Sequence, residues 1–193
     1  MTDSAPKRSS LPRSASANAA RGWTRMAERP SRKSYRDPAL DLVFDASVFI
    51  PYFVSATYRE MVEDAMNRGR AYLPAPVLEE LYAGTRSRTD KGDVDRIHRR
   101  LKVQDRILVP TAEDWANAGL LMARHIRHYG QINPKDHLND VLIAILASNH
   151  GGPLVTENRE HFERWRRLLR AVGKSLRLQI VKRSTNHHGT STN

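Results

Sequence analysis

The 193-residue chain lacks cysteine and lacks any apolar run long enough to cross a bilayer. Without cysteine it has no disulfide, no thiolate metal site and no cysteine nucleophile, which suits a reducing cytoplasm. The longest apolar run, residues 141–147, has seven residues, whereas a membrane-spanning helix needs about 20. A GxxxxGK phosphate-binding motif is also absent. We therefore expect a cytoplasmic protein without a membrane span.

Acidic residues are scarce at both ends of the chain. Residues 1–37 hold nine Lys or Arg against three acids, among many Ser, Ala and Pro, which predicts a basic, disordered N-terminal arm. Residues 182–193 have two basic residues and no acid, and we expect a flexible tail. Because six of the eleven net positive charges belong to the arm and two to the tail, the domain expected over residues 38–181 keeps +3. The arm's composition is equally typical of a transit peptide, a nucleic-acid-binding arm or an over-extended start.

Between residues 38 and 181, short apolar strands alternate with helical patterns. Strands are predicted at residues 42–44 and 71–73 and within RILVP, GGPLVT and LRLQIV; helices are predicted in TYREMVEDAMNRG, PVLEELYAG, DVDRIHRRLK, AEDWANAGLLMARHIRHYG, the stretch after Asp140 and REHFERWRRLLRAV. This alternation predicts an α/β three-layer sandwich with a parallel sheet of four or five strands. Ligands of such sheets bind beyond the carboxyl ends of the strands.

Three carboxylates are expected at that edge of the sheet. Asp45 directly follows the first strand, Glu80 or its neighbour Glu79 lies in the second helix, and Asp140 is expected at the head of the helix that contains the apolar run at residues 141–147. Carboxylates this close repel one another unless a cation neutralises them, and Mg²⁺ or Mn²⁺ takes such hard oxygen ligands. Asp136, one helical turn before Asp140, is either the helix cap or a fourth acid near the cation.

Four segments in this order, LVFDASVFI, VLEELYAG, NDVLIAILAS and LVTENREHF, closely resemble the signature segments of PIN-domain ribonucleases, most of all the VapC-like toxins of type II toxin–antitoxin systems. The resemblance spans roughly residues 41–181. It implies a Mg²⁺- or Mn²⁺-dependent endoribonuclease whose products carry a 5′-phosphate and a 3′-hydroxyl. It also implies a homodimer and inhibition by a small antitoxin protein.

The resemblance assigns roles to particular residues. Asp45, Glu80 and Asp140 match the family's catalytic, metal-binding acids, and the EL pair favours Glu80 over Glu79. Ser47 matches a small polar residue that supports the first acid. In the fourth segment Thr156, Asn158 and Phe162 match the family pattern, but His161 stands where an acid is common. Asn158 could ligate the cation weakly or through water, or Glu157 or Glu160 could substitute for the missing acid.

Basic and histidine residues outside this set are weaker candidates. Arg159, Arg164 and Arg166, in or beside the last predicted helix, could contact the RNA backbone, although such residues more often form a solvated face. His125 and His128 have the spacing of a metal pair, but no third ligand follows at a recognisable distance, which favours a solvated helix end.

These observations predict a metal-dependent endoribonuclease that acts as an antitoxin-neutralised toxin. The alternative is a catalytically weak or inactive PIN-fold protein that binds nucleic acid, prompted by the unusual fourth segment and the basic arm. A third interpretation is a regulatory or scaffold protein whose function depends on its N-terminal arm.

Overall fold

The computed structural model describes residues 40–182, which contain a five-stranded, all-parallel sheet flanked by seven helices. The strands are β1 (Leu42–Phe44), β2 (Ala71–Pro74), β3 (Ile107–Leu108), β4 (Leu154–Thr156) and β5 (Leu178–Ile180). The helices are α1 (Ala46–Val54), α2 (Arg59–Asn67), α3 (Ala75–Ala83), α4 (Arg88–Val103), α5 (Ala112–Tyr129), α6 (Pro134–His150) and α7 (Arg159–Arg170). The predicted α/β architecture is thereby confirmed. The predicted arm and most of the predicted tail lie outside the described residues.

The strand order β3-β2-β1-β4-β5 creates a switch point between β1 and β4. The chain steps outward from β1 through β2 to β3, then returns to the other side of β1 to form β4. Val43 of β1 is in register with Leu154 of β4, so the two strands end together. A crevice forms at such a switch point, outside the carboxyl ends of the strands.

Helix α6 is the centre of the core. Residues 141–147 are all buried, as their unbroken apolar run predicts, and α6 packs against α3, α5 and α7. Trp165 and Phe162 of α7 are also buried. The backbone on either side of residues 141–147 is therefore held firmly, and this placement carries Asp140 to the edge of the core.

Helix α1 was not predicted from the sequence. Its residues lack a clear polar stripe, and Pro51 within it cannot donate the usual backbone hydrogen bond. The helix forms because Phe49 and Tyr52 pack into the core, with the Phe49 ring 5.9 Å from that of Phe44 on β1. Tertiary packing thus compensates for a weak local signal.

Helix α5 begins with the capping box that Thr111 and Asp114 predict. The Thr111 hydroxyl accepts from the Asp114 backbone N–H at 3.2 Å, and the Asp114 carboxylate accepts from the Thr111 backbone N–H at 2.9 Å. Asn149 of α6 also donates to Asp114, at 2.8 Å. The cap therefore joins the start of α5 to the end of α6.

Candidate active site

Asp45 is a buried carboxylate at the end of β1. Asp45 is the residue directly before α1, and only 5% of its surface is exposed. Its Oδ2 accepts one hydrogen bond from Ser47 Oγ and another from Thr156 Oγ1, both at 2.7 Å. A buried carboxylate needs such donors because ionic groups lose their hydration on burial.

The two hydroxyl groups also hold the loop that follows β4. Ser47 Oγ accepts from the backbone N–H of Glu157 at 3.0 Å, and Thr156 Oγ1 accepts from that of Asn158 at 2.9 Å. The ends of β1 and β4 are therefore tied together around Asp45. The structure thus places Ser47, Thr156 and Asn158, all candidates from the sequence, in one hydrogen-bonded group.

Glu80 points inward from α3, whereas Glu79 is exposed. Burial raises the pKa of Glu80 to about 7, helped by the negative charges of Asp45, Asp140 and Glu79 and opposed by the side-chain amide of Asn139. That amide donates to Glu79 Oε2 at 3.0 Å. Glu80 is therefore close enough to both other candidate acids for their charge to affect its pKa.

Asp140 lies in the second turn of α6, which corrects the expectation that it heads the helix. The helix begins six residues earlier because Asn133 caps it and Pro134 occupies its first position, where proline needs no hydrogen-bond donor. Burial raises the pKa of Asp140, the charge of Asp45 adds to this shift, and His161 opposes it. Burial and like charge thus disfavour the ionised form of Asp140, as they do for Glu80.

Asp136 is exposed in the first turn of α6. Asn133, not Asp136, is the N-cap, and Asn133 Nδ2 donates to Asp136 Oδ2 at 3.0 Å. Asp136 therefore contributes to the start of the helix, one turn away from Asp140.

His161, in the first turn of α7, contacts the site directly. Its Nδ1 lies 3.1 Å from Asp140 Oδ2. Glu157, one possible substitute for the missing acid, accepts a hydrogen bond from Tyr58 at 2.7 Å, and Glu160, the other, is exposed. The histidine is thus the fourth-segment side chain that reaches Asp140.

These side chains fit a hard divalent cation by their chemistry. Asp45, Glu80 and Asp140 are carboxylates at one edge of the sheet, and the raised pKa of Glu80 reflects burial and repulsion that a cation would relieve. Within residues 40–182, no three His, Asp or Glu side chains already form a group positioned to hold an ion.

Of the arginines proposed for RNA contact, Arg159 is exposed at the start of α7, beside this site. Arg166 is paired with Glu163 at 2.7 Å, and Arg164 lies partly buried near His125. Arg159 therefore has the placement best suited to a passing phosphate.

His125 contradicts the expectation of a solvated helix end. It is 2% exposed, and its ring lies 5.3 Å from that of Trp165 and 6.4 Å from that of His137. Burial lowers the pKa of His125, and the charges of Arg164 and His137 act in the same direction. His128 is exposed.

Sequence reasoning missed two residues that act on the site. Asn139 donates to Glu79 beside Glu80, and Tyr58 donates to Glu157 in the loop after β4. Asn139 could have been found, since it directly precedes a candidate acid. The role of Tyr58 could not, because it depends on a contact across 99 residues.

The parallel sheet with acidic side chains beyond its switch point defines an α/β protein with a candidate ligand site at the carboxyl edge of the sheet. Residues 42–168 match the PIN domain family, and the chain belongs to that family. PIN domains are generally nucleases and typically use divalent metal ions. The family expected from the four segments is thus confirmed.

The solved structures that share this fold include two protein–DNA complexes. VapBC2 from Rickettsia felis, bound to a DNA fragment from its promoter, is 20% identical, with a TM-score of 0.53 over 74% of this chain and 100% of that chain. DNA-bound VapBC from Salmonella typhimurium is 21% identical, with a TM-score of 0.55 over 73% of this chain and 98% of that chain. A comparison with curated protein sequences finds no match.

A membrane span is not found among the described residues, where every helix is too short or too polar to cross a bilayer.

Proposed function

We propose that this protein is an endoribonuclease that depends on Mg²⁺ or Mn²⁺ and acts as a VapC-like toxin. The observation that carries the proposal is the grouping of Asp45, Glu80 and Asp140 at the switch point, where burial and mutual charge raise the pKa of Glu80 to about 7. Carboxylates held in this way are suited to a divalent cation, and the family typically uses one. The best candidates for its ligands are these three side chains.

In this mechanism the protein's own residues position the reaction. Ser47 and Thr156 hold Asp45 in place through their hydroxyl groups, and Asn139 sets the environment of Glu80. Arg159 is exposed at the start of α7 and would contact the RNA backbone, which positions the substrate without reading its sequence. When bound, a divalent cation would activate water and stabilise the charge that develops on the phosphodiester.

The test is cleavage of a mixed RNA pool with Mg²⁺, with Mn²⁺ and with EDTA. We expect metal-dependent cleavage by the wild type and a loss of at least about 100-fold in Asp140→Asn. Asp136→Asn is the matched control: it removes the same charge from the same helix at an exposed position, and it should retain activity.

An alternative function is nucleic-acid binding without strong catalysis. Two observations favour it: His161 replaces the usual fourth-segment acid, and no three potential ligands in residues 40–182 are already positioned around an ion. If wild type and Asp140→Asn bind RNA equally and neither cleaves it, this alternative replaces the nuclease.

We also propose a small antitoxin as a partner, a homodimer as the assembly and the cytoplasm as the location. The two similar solved structures are VapBC complexes with DNA, which supports an antitoxin partner. Co-expression with the product of a neighbouring small reading frame should give a stable complex without RNA cleavage. Analytical ultracentrifugation of the purified protein measures the assembly.

A further inference from the structure

The cation site differs from the family pattern at one side chain that touches it. His161 occupies the position where an acid is common, and its Nδ1 lies 3.1 Å from Asp140 Oδ2. The His161 side chain is 50% exposed and that of Asp140 is 20% exposed. The imidazole therefore contacts both Asp140 and the solvent.

We propose that His161 is itself a ligand of the cation and gives the site a preference for divalent transition-metal ions over Mg²⁺. This inference rests on the proposed function, since it takes the cation site as given. It assigns a ligand and a class of metal that the three carboxylates alone do not specify.

The geometry of the pair suits shared coordination. Two ligand atoms at right angles on an octahedral ion, each about 2.1 Å from it, lie about 3 Å apart. The observed separation of 3.1 Å between His161 Nδ1 and Asp140 Oδ2 matches this spacing. An ion could therefore replace the hydrogen bond between these atoms without a shift of α6 against α7.

Neighbouring residues hold the imidazole in this place. The adjacent Phe162 is fully buried and anchors the first turn of α7. The His161 ring lies 6.2 Å from that of His137, which in turn lies 6.1 Å from the buried Trp165 ring. A half-exposed side chain is thus backed by packed rings, and its position near Asp140 is part of the fold.

The chemical type of the ligand determines which metal ion binds more tightly. Mg²⁺ binds hard oxygen ligands and keeps its waters, whereas imidazole binds better to transition-metal ions, with affinity rising from Mn²⁺ through Fe²⁺ to Co²⁺. With His161 in place of a carboxylate, the site also offers one hard oxygen ligand fewer. Both effects lower the affinity for Mg²⁺ relative to transition-metal ions.

The experiment is isothermal titration of the full-length protein with Mg²⁺, Mn²⁺ and Co²⁺, each alone. His161→Ala should lose on the order of tenfold in affinity for Co²⁺ and Mn²⁺ and less than about threefold for Mg²⁺. His161→Asp, which restores the acid, should gain affinity for Mg²⁺ relative to Co²⁺. His128→Ala removes an exposed histidine of α5 and should match the wild type. Circular dichroism verifies that each variant is folded.

Each other outcome separates the two proposals. If His161→Ala changes the affinity for Mg²⁺ and Co²⁺ by the same factor, or by none, His161 only orients Asp140 and the inference is overturned while the cation site stands. If Asp140→Asn binds all three ions as the wild type does, or the wild type binds none, the proposed cation site itself fails.

Discussion

Asp45 shows how much a single buried residue of this protein depends on its neighbours. Two hydroxyl groups donate to the same oxygen, Oδ2, and both hydroxyls also accept from the loop that carries Asn158. Removing one donor leaves a buried carboxylate short of a partner, which costs more than the average hydrogen bond contributes.

Thr156→Val tests this network, because valine keeps the shape and removes the hydroxyl. We expect a loss of about 1–3 kcal/mol in the free energy of unfolding, measured by urea denaturation. Ser55→Ala is the control, since the Ser55 hydroxyl donates to a backbone carbonyl on the exposed end of α1. An equal loss in the two variants would show that the Asp45 network contributes no more to the free energy of unfolding than an exposed hydrogen bond does.

The raised pKa of Glu80 predicts how the stability of the metal-free protein depends on pH. Its pKa is about 7 in the folded state, whereas an ordinary glutamate has a pKa of 4.5, so the folded state holds the proton of Glu80 more tightly. The stability that this provides is fully present below about pH 4.5 and is lost as the pH rises through 7.

Glu80→Gln removes that titration. With EDTA present, the free energy of unfolding of the variant minus that of the wild type should grow as the pH rises from 5 to 8. Denaturant titrations at four or more pH values measure it, and Glu79→Gln, on the exposed neighbour, is the control. A difference that stays constant over this range would contradict the burial of a titrating Glu80.

At the scale of elements, two helices start with the same capping box in different surroundings. Ser87 and Asp90 cap α4 at an exposed position, whereas Thr111 and Asp114 cap α5 where Asp114 is 5% exposed and also accepts from Asn149. The same local motif should therefore stabilise the protein to different degrees.

Asp114→Ala should lower the free energy of unfolding by about 2 kcal/mol, because it also deprives Asn149 of its partner. Asp90→Ala should cost clearly less, since solvent can replace its hydrogen bonds. Thermal denaturation of both variants measures the contrast. RNA cleavage at saturating RNA should be unchanged in each, because neither residue lies among the candidate acids.

At the scale of the whole molecule, the basic arm and the candidate catalytic acids lie in different parts of the chain. The predicted arm carries six of the eleven net positive charges, while the candidate acids all lie within residues 42–168, the part that matches the PIN domain. Cleavage and electrostatic attraction to RNA should therefore be separable by truncation.

Deletion of residues 1–37 should leave cleavage at saturating RNA nearly unchanged. The same deletion should weaken RNA binding and make its dependence on salt shallower, since fewer counterions are released. Filter binding at several salt concentrations measures this. Loss of cleavage by a folded, truncated protein would instead favour a function that depends on the arm.

The sequence by itself determined the order of the strands and of every described helix except α1, determined the family, and selected three carboxylates as candidates. Each of these depends on local information: the apolar run at residues 141–147, the alternation of strands and helices, and four short segments with characteristic spacing. Local patterns also indicated the α5 capping box, since Thr111 and Asp114 are three residues apart.

Only the tertiary structure decided which side chains share an environment. Helix α1 forms through aromatic packing, Asp140 lies in the second turn because α6 starts at Pro134, and His125 is buried against Trp165. The contact between His161 and Asp140 likewise joins α7 to α6. Burial and charge at such points depend on residues far apart in the chain, and no local spacing encodes them.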